Sequence, residues 1–318
     1  MTKKRIFVTG ASGCIGHYLS EALIKETDHE LYLLVRNPEK LKIDTQVRPD
    51  VTVLQGDMQR IQHFADLLKT INVAVLTATA WGGAATFDIN VVKTLELLSY
   101  LDPAICEQVI YFSTASVLDS NNQPLKEAGE LGTDYIRSKY DCLQKIGKLA
   151  IAPKITEVFP TLVLGGDDNK PYSHITPGIL EVTKYIDFIR FFQADGSFHF
   201  IHARDIATVV RYLIDNPPQE NESRQLVLGQ APLTANQAIE EVCAYLGKKI
   251  YFRIPVSFSL ANLLIVLFRI RMAAWDRFCM SYRHFTYQKF VNPDSFGLPN
   301  YCATISDVLR ISGVQSYR

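Results

Sequence analysis

The feature that most limits what this chain can become is an apolar run, Arg5–Thr9, that leads straight into Gly10-Ala11-Ser12-Gly13-Cys14-Ile15-Gly16. A strand, a glycine turn and then Ile15, Leu19 and Leu23 on one helical face form the opening of a βαβ unit. Backbone without Cβ atoms turns tightly and comes close to a pyrophosphate, while the next helix offers its first amides to the anion. Gly10, Ser12, Gly13, Cys14, Ile15 and Gly16 are therefore the first candidate dinucleotide contacts.

Short β-rich runs recur at 31–35, 51–54, 73–77, 109–112 and 156–164, with helical patterns such as Val91, Leu95 and Leu98 between them. This alternation predicts an α/β protein with a Rossmann-type doubly wound parallel sheet. After Leu164 the character changes. Gly165-Gly166-Asp167-Asp168-Asn169 reads as a loop, and an aromatic-rich stretch runs on to Phe200. Asp205 is placed to cap a helix over 206–215, and 225–229 reads as one more strand. A capping box, Thr234 with Gln237, opens a helix that Gly247 closes. The expected division is 1–165 plus about 199–230 for the dinucleotide, and 166–198 plus 231–318 as a smaller, mostly helical C-terminal substrate lobe.

Composition narrows the function. The 318 residues carry 33 Lys+Arg against 33 Asp+Glu, and this balance argues against a nucleic-acid binder. At 47% hydrophobic and 21% charged the chain is globular, not disordered. The six cysteines are scattered with no C-x-x-C pair, so no metal centre is expected and a reducing compartment is the simplest reading. The first residues leave no room for a signal sequence before the first strand, which points to the cytoplasm. Residues 256–268 are strongly apolar but shorter than the roughly 20 residues of a bilayer span. Two readings stay open for 256–272: a buried helix of the lobe, or a membrane-surface or lipid-pocket helix.

About 20 residues beyond the glycines, where an acidic residue selects NAD by accepting from the ribose 2′-hydroxyl, this chain has Arg36 followed by Asn37. A guanidinium pairs well with a 2′-phosphate, so NADP(H) is the expected cofactor, with Lys40 or Lys42 as further charge. The fifth run ends Ser113-Thr114-Ala115-Ser116, and Tyr135-Ile136-Arg137-Ser138-Lys139 follows. Tyrosine and lysine four apart on a helix share a face, so an ammonium there is expected to lower the phenol pKa. A second Tyr-x-x-x-Lys, Tyr245 to Lys249, straddles Gly247 and reads as coincidence.

Taken in order, Thr9 with the G-x-x-G-x-x-G turn, Gly56-Asp57-Met58, Asn90, Thr114, the Tyr135/Lys139 pair and Phe200-Ile201-His202-Ala203-Arg204-Asp205-Ile206-Ala207 resemble the extended short-chain dehydrogenase/reductase superfamily over about 230 residues. The resemblance implies that Asp57 and Met58 meet the adenine, that Ala78 and Thr79 let the cofactor lie close, and that Pro160 borders it. It also implies that Asn90 supports a proton-relay water, that Thr114 holds the substrate carbonyl, and that Tyr135 moves the proton while Lys139 holds the nicotinamide ribose. His202 reads as structural, and many relatives pair as homodimers. One departure is Phe159, where many relatives have Arg before the proline.

Within the superfamily the features lean to reduction or oxidation. Dehydratases typically carry Asp-Glu after the catalytic threonine, whereas Thr114 is followed by Ala115-Ser116. Twelve of the 17 phenylalanines lie between Phe188 and Phe296, which suits an apolar substrate, and the C-terminal helices are similar to those of 3β-hydroxysteroid dehydrogenase-like and dihydroflavonol reductase-like members. The alternatives are a nucleotide-sugar epimerase or dehydratase and a non-catalytic NADP-binding sensor or assembly protein.

Overall fold

The computed structural model describes residues 3–219, 222–257 and 271–317, with Ser259, Asn262 and Leu267 between the last two stretches. Seven parallel strands make the central sheet: β1 (Arg5–Thr9), β2 (Glu30–Val35), β3 (Val51–Gln55), β4 (Val73–Leu76), β5 (Gln108–Phe112), β6 (Ile155–Pro160) and β7 (Gln225–Leu228). Their spatial order is β7-β6-β5-β4-β1-β2-β3. β1 pairs with β2 on one side (Ile6 opposite Leu31) and with β4 on the other (Ile6 opposite Val73). The strand order therefore reverses at β1, and a crevice opens beyond the carboxyl ends of β1 and β4.

Both faces of the sheet are covered, which is why its strands read as continuous apolar runs. Ile6, Val8, Leu31, Leu33, Val73, Val75, Ile110 and Val158 point one way, into a core shared with Leu19 and Leu23 of helix α1 (Cys14–Glu26). Ile206, Val209, Val210 and Leu213 of a second helix complete that layer. Phe7, Leu34, Ala74, Leu76, Val109 and Tyr111 point the other way, against Leu97, Leu98, Cys142 and Ile146. These last residues belong to α2 (Thr94–Tyr100) and α3 (Asp134–Ile146); a π-helical turn over Asp88–Lys93 leads into α2.

Two local expectations change. The run 156–164 is not one strand: Pro160, which has no N–H to give a ladder, ends β6, and 162–164 pairs instead with 200–202 in a separate two-stranded sheet. The helix expected from 206 is α4 (Ala203–Asp215), and its cap is His202, whose Nδ1 accepts from the Arg204 amide at 3.1 Å. Asp205 has a different task. Its carboxylate accepts from the amides of Tyr301 (2.6 Å) and Cys302 (3.1 Å), tying the C-terminal segment to α4. The Thr234/Gln237 capping box opens α5 (Ala235–Tyr245), and Gly247 takes φ 65° just beyond it. Tyr245 spends its hydroxyl on the Val314 carbonyl at 2.8 Å, away from the crevice. Most of 256–272 lies outside the described residues; among those described, no helix is long and apolar enough to cross a membrane.

Candidate active site

The crevice is built first from the glycine turn. Gly10 sits at φ +70°, and a Cβ there would lie 2.7 Å from the Ala78 amide nitrogen; one on Gly16 would lie 2.1 Å from the Gly10 carbonyl oxygen. The close approach of β1, α1 and the segment after β4 thus excludes any side chain. Thr9 reinforces it: its carbonyl accepts from the Thr77 hydroxyl at 2.6 Å, and its hydroxyl accepts from the Ala78 amide at 3.2 Å. Helix α1 starts at Cys14 with no side-chain cap and no acidic residue in its first turn. The open first-turn amides beside Gly13, where a Cβ would meet only the Gly10 carbonyl at 3.3 Å, fit a pyrophosphate. Ser12, Cys14 and Ile15 are half-buried around this turn, and burial together with Asp167 pushes the Cys14 thiol up to about 12.

Beyond the ends of β2 and β3 lies a hollow of about 480 Å³ lined by Arg36, Gln55, Gly56, Asp57, Gln59, Arg60, His63 and Phe64. Arg36 lines this hollow. Lys40 and Lys42 do not: Lys42 lines a different hollow with Glu21, Lys25 and Lys170. The additional cation is Arg60, brought round by the 3-10 turn over Met58–Phe64 whose cap is Asp57 (Oδ1 accepting from the Gln59 amide at 2.9 Å). Among the described residues neither Arg36 nor Arg60 has an ion-pair partner. Asn37 is exposed and accepts from the Glu39 amide at 3.0 Å, and Met58 is buried in the core.

At the other end of the crevice, Thr114 follows β5 and Tyr135 and Lys139 come from the first turns of α3, which Thr133 caps. Burial pushes the Tyr135 phenol up to about 12, partly offset by its hydrogen bond with Thr114. Lys139 is buried and donates to the Phe112 carbonyl at 2.8 Å; desolvation lowers its pKa to about 8. The phenol is thus raised where the spacing led to an expected lowering: burial dominates, and the Lys139 ammonium is directed at the end of β5. Ser113 is buried with no hydrogen-bond partner for its hydroxyl.

Asn90 is neither a surface amide nor open to a relay water on its side chain. It is fully buried in the π-helical turn; its Oδ1 accepts from the Ala80 amide (2.8 Å) and the Thr79 hydroxyl (3.1 Å), and its Nδ2 donates to the Ala80 carbonyl (2.8 Å) and Ser138 Oγ (2.9 Å). Every polar valence of the amide is spent on holding the segment after β4 to α3. Ser138 passes the link on, donating to the Tyr135 carbonyl at 2.7 Å. Phe159 and Pro160 are buried at the end of β6; Phe159 lies in a cluster with Trp275 and Tyr287, against which Tyr135 packs.

Two side chains at this end had no role in the sequence reading. The Trp81 indole stacks on the Tyr135 ring (centroids 4.2 Å, planes 29°), and His174 meets the indole edge-on at 4.5 Å. Ala80-Trp81 after an apolar run was the only signal available, and it says nothing of the stack.

A parallel sheet that reverses at β1, with a glycine turn at the reversal, defines a Rossmann-type α/β protein. The chain belongs to the NAD dependent epimerase/dehydratase family, whose model matches residues 6–229. Among solved structures, gox2253 superposes with a TM-score of 0.70 at 19% identity, covering 99% of this chain and 100% of that one. WbmG from Bordetella bronchiseptica, in complex with NAD and UDP, gives 0.64 at 16% identity over 99% and 96% of the two chains. The dTDP-glucose 4,6-dehydratase of Bacillus anthracis, in complex with NAD, gives 0.62 at 14% identity over 96% of each. No curated protein matches the sequence.

Proposed function

We propose that this protein is an NADP(H)-dependent oxidoreductase that interconverts a carbonyl and an alcohol on a small, lipophilic molecule, with residues 1–165 and about 199–230 holding the cofactor and the remainder shaping the substrate site. The observation that carries it is the joint placement of Thr114, Tyr135 and Lys139 at one end of a crevice whose other end holds Arg36 and Arg60 and only one carboxylate, Asp57, already engaged as a cap. When bound, the dinucleotide supplies or takes up the hydride.

The residues of the chain do the rest. Gly10, Gly13 and Gly16 with the first amides of α1 receive the pyrophosphate, and Asp57 and Met58 border the adenosine. The Thr114 hydroxyl draws the Tyr135 pKa down against burial, so the two groups lie close enough to meet one substrate oxygen. A phenol held near 12 keeps its proton throughout the neutral range and is therefore loaded as an acid for reduction. Lys139 keeps positive charge beside β5 up to about pH 8, which favours negative charge developing on the oxygens nearby. The half-exposed Trp81 ring stacked on Tyr135 suits a lipophilic substrate.

The family name also covers epimerases and dehydratases, but the position after Thr114 offers Ala115 and Ser116, with no carboxylate to drive elimination. A charge-assisted contact contributes about 1.5–3 kcal/mol, or roughly ten- to a hundredfold in affinity. NADPH is accordingly expected to raise the melting temperature well above the shift given by NADH, and Arg36→Ala to erase the difference. Equal shifts in the unaltered protein would remove the NADP assignment. Tyr135→Phe is expected to lower kcat by about 10²–10⁴ with cofactor binding retained. Unchanged turnover would take Tyr135 out of the chemistry, and stabilisation by UDP-sugars with their turnover would replace this reading with an epimerase or dehydratase.

A further inference from the structure

The chain has two tryptophans, and they are treated differently: Trp275 is 8% exposed within the apolar cluster, whereas Trp81 is 54% exposed above Tyr135. A large ring left half in water is not held by burial. It is held through its backbone, because Asn90 both donates to and accepts from Ala80, the residue before it, at 2.8 Å each way. The same amide reaches Ser138, and Ser138 the Tyr135 carbonyl, so one buried side chain fixes the indole and the phenol relative to each other. His174, from the loop before the helix Thr176–Lys184, supplies a third ring at 4.5 Å from the indole. Indole, phenol and imidazole come from three separate elements and converge on the site of the proposed proton transfer.

Resting on the assignment of Tyr135 as proton donor, we propose that Trp81, oriented by Asn90 and flanked by His174, is a stacking platform that selects substrates whose carbonyl is attached to a planar conjugated or aryl group. A carbonyl oxygen at Thr114 and Tyr135 places its substituent beside the indole face. Offset stacking rewards a flat π-system there, while a saturated ring of the same size gains apolar contact alone. With 54% of its surface open, Trp81 has indole area left over for a flat, lipophilic group beyond what Tyr135 and His174 cover.

The test uses the full-length protein and a pair of unreactive carbonyl ligands of matched size, benzamide and cyclohexanecarboxamide. In ligand-observed NMR titrations benzamide is expected to bind about three- to tenfold more tightly. Trp81→Ala is expected to bring that ratio to about one, and Trp81→Phe to restore most of it. In a Trp275→Phe variant, where Trp81 is the sole indole, benzamide is expected to shift the emission. The kcat/KM ratio of benzaldehyde to cyclohexanecarbaldehyde should fall by the same factor in Trp81→Ala, intrinsic reactivity cancelling between the two proteins. Equal binding of the two amides, no benzamide binding at millimolar concentration, or a ratio untouched by Trp81→Ala would each overturn the platform. Selective amide binding with no turnover of either aldehyde would leave the platform standing and remove the proton-transfer reading instead.

Discussion

Lys139 pays for its position. Only 3% exposed, with its ammonium on the Phe112 carbonyl, it is held near pKa 8 against an ordinary 10.5. The unfolded chain therefore keeps a proton that the folded one releases between about pH 8 and 10.5, and this group's contribution makes stability rise with pH across that window. A shift of that size corresponds to something on the order of 3 kcal/mol. Lys139→Met is expected to flatten the rise in urea-denaturation free energy between pH 7.5 and 10. Activity runs the opposite way. With Tyr135 still protonated and Lys139 losing its charge, kcat/KM for reduction is expected to fall above about pH 8, as read from a pH profile of the free enzyme. Thr114, Tyr135 and Lys139 were singled out by their resemblance to the superfamily's motif and by their order after the fifth strand. Where the ammonium points was not legible, since a four-residue interval fixes a shared face and leaves the partner to the strand ends packed above it. Arg60 was hidden for a similar reason: a 3-10 turn, with a non-helical φ of −119° at Arg60 itself, brings it beside Arg36.

Among the elements, the π-helical turn Asp88–Lys93 and the start of α1 carry the most consequence. Asn90→Ala would leave the Ala80 amide and carbonyl without their partner, and is expected to cost about 2–4 kcal/mol in thermal or chemical denaturation. In the α1 turn, Gly16→Ala forces a Cβ to within 2.1 Å of the Gly10 carbonyl, whereas Gly13→Ala meets it at 3.3 Å. Gly16→Ala is thus expected to unfold or badly destabilise the protein, and Gly13→Ala to stay folded while losing dinucleotide affinity, as measured by melting and by cofactor titration. The strands of the sheet were readable because two buried faces make unbroken apolar runs. The break at Pro160 was not, since 162–164 is just as apolar and its partner, 200–202, lies far along the chain.

At the level of the entire molecule, the alternation of runs through residue 165 announced the parallel sheet, but the long-range ties could not be read. Asp205 looked like a helix cap and instead clasps the amides of Tyr301 and Cys302, nearly a hundred residues away. Asp205→Ala is expected to cost about 2–3 kcal/mol, seen as an earlier urea midpoint, by stranding these donors. The last strand carries a further consequence. β7 pairs with β6, Leu226 opposite Val158, although residues 166–198 intervene in the chain. The central sheet is consequently built from two separate stretches of chain, and no single truncation can excise it: a fragment ending near 165 would leave β6 as a raw edge inviting association with other copies. A proteolytic nick in the intervening stretch, by contrast, should yield two pieces that stay together until denatured.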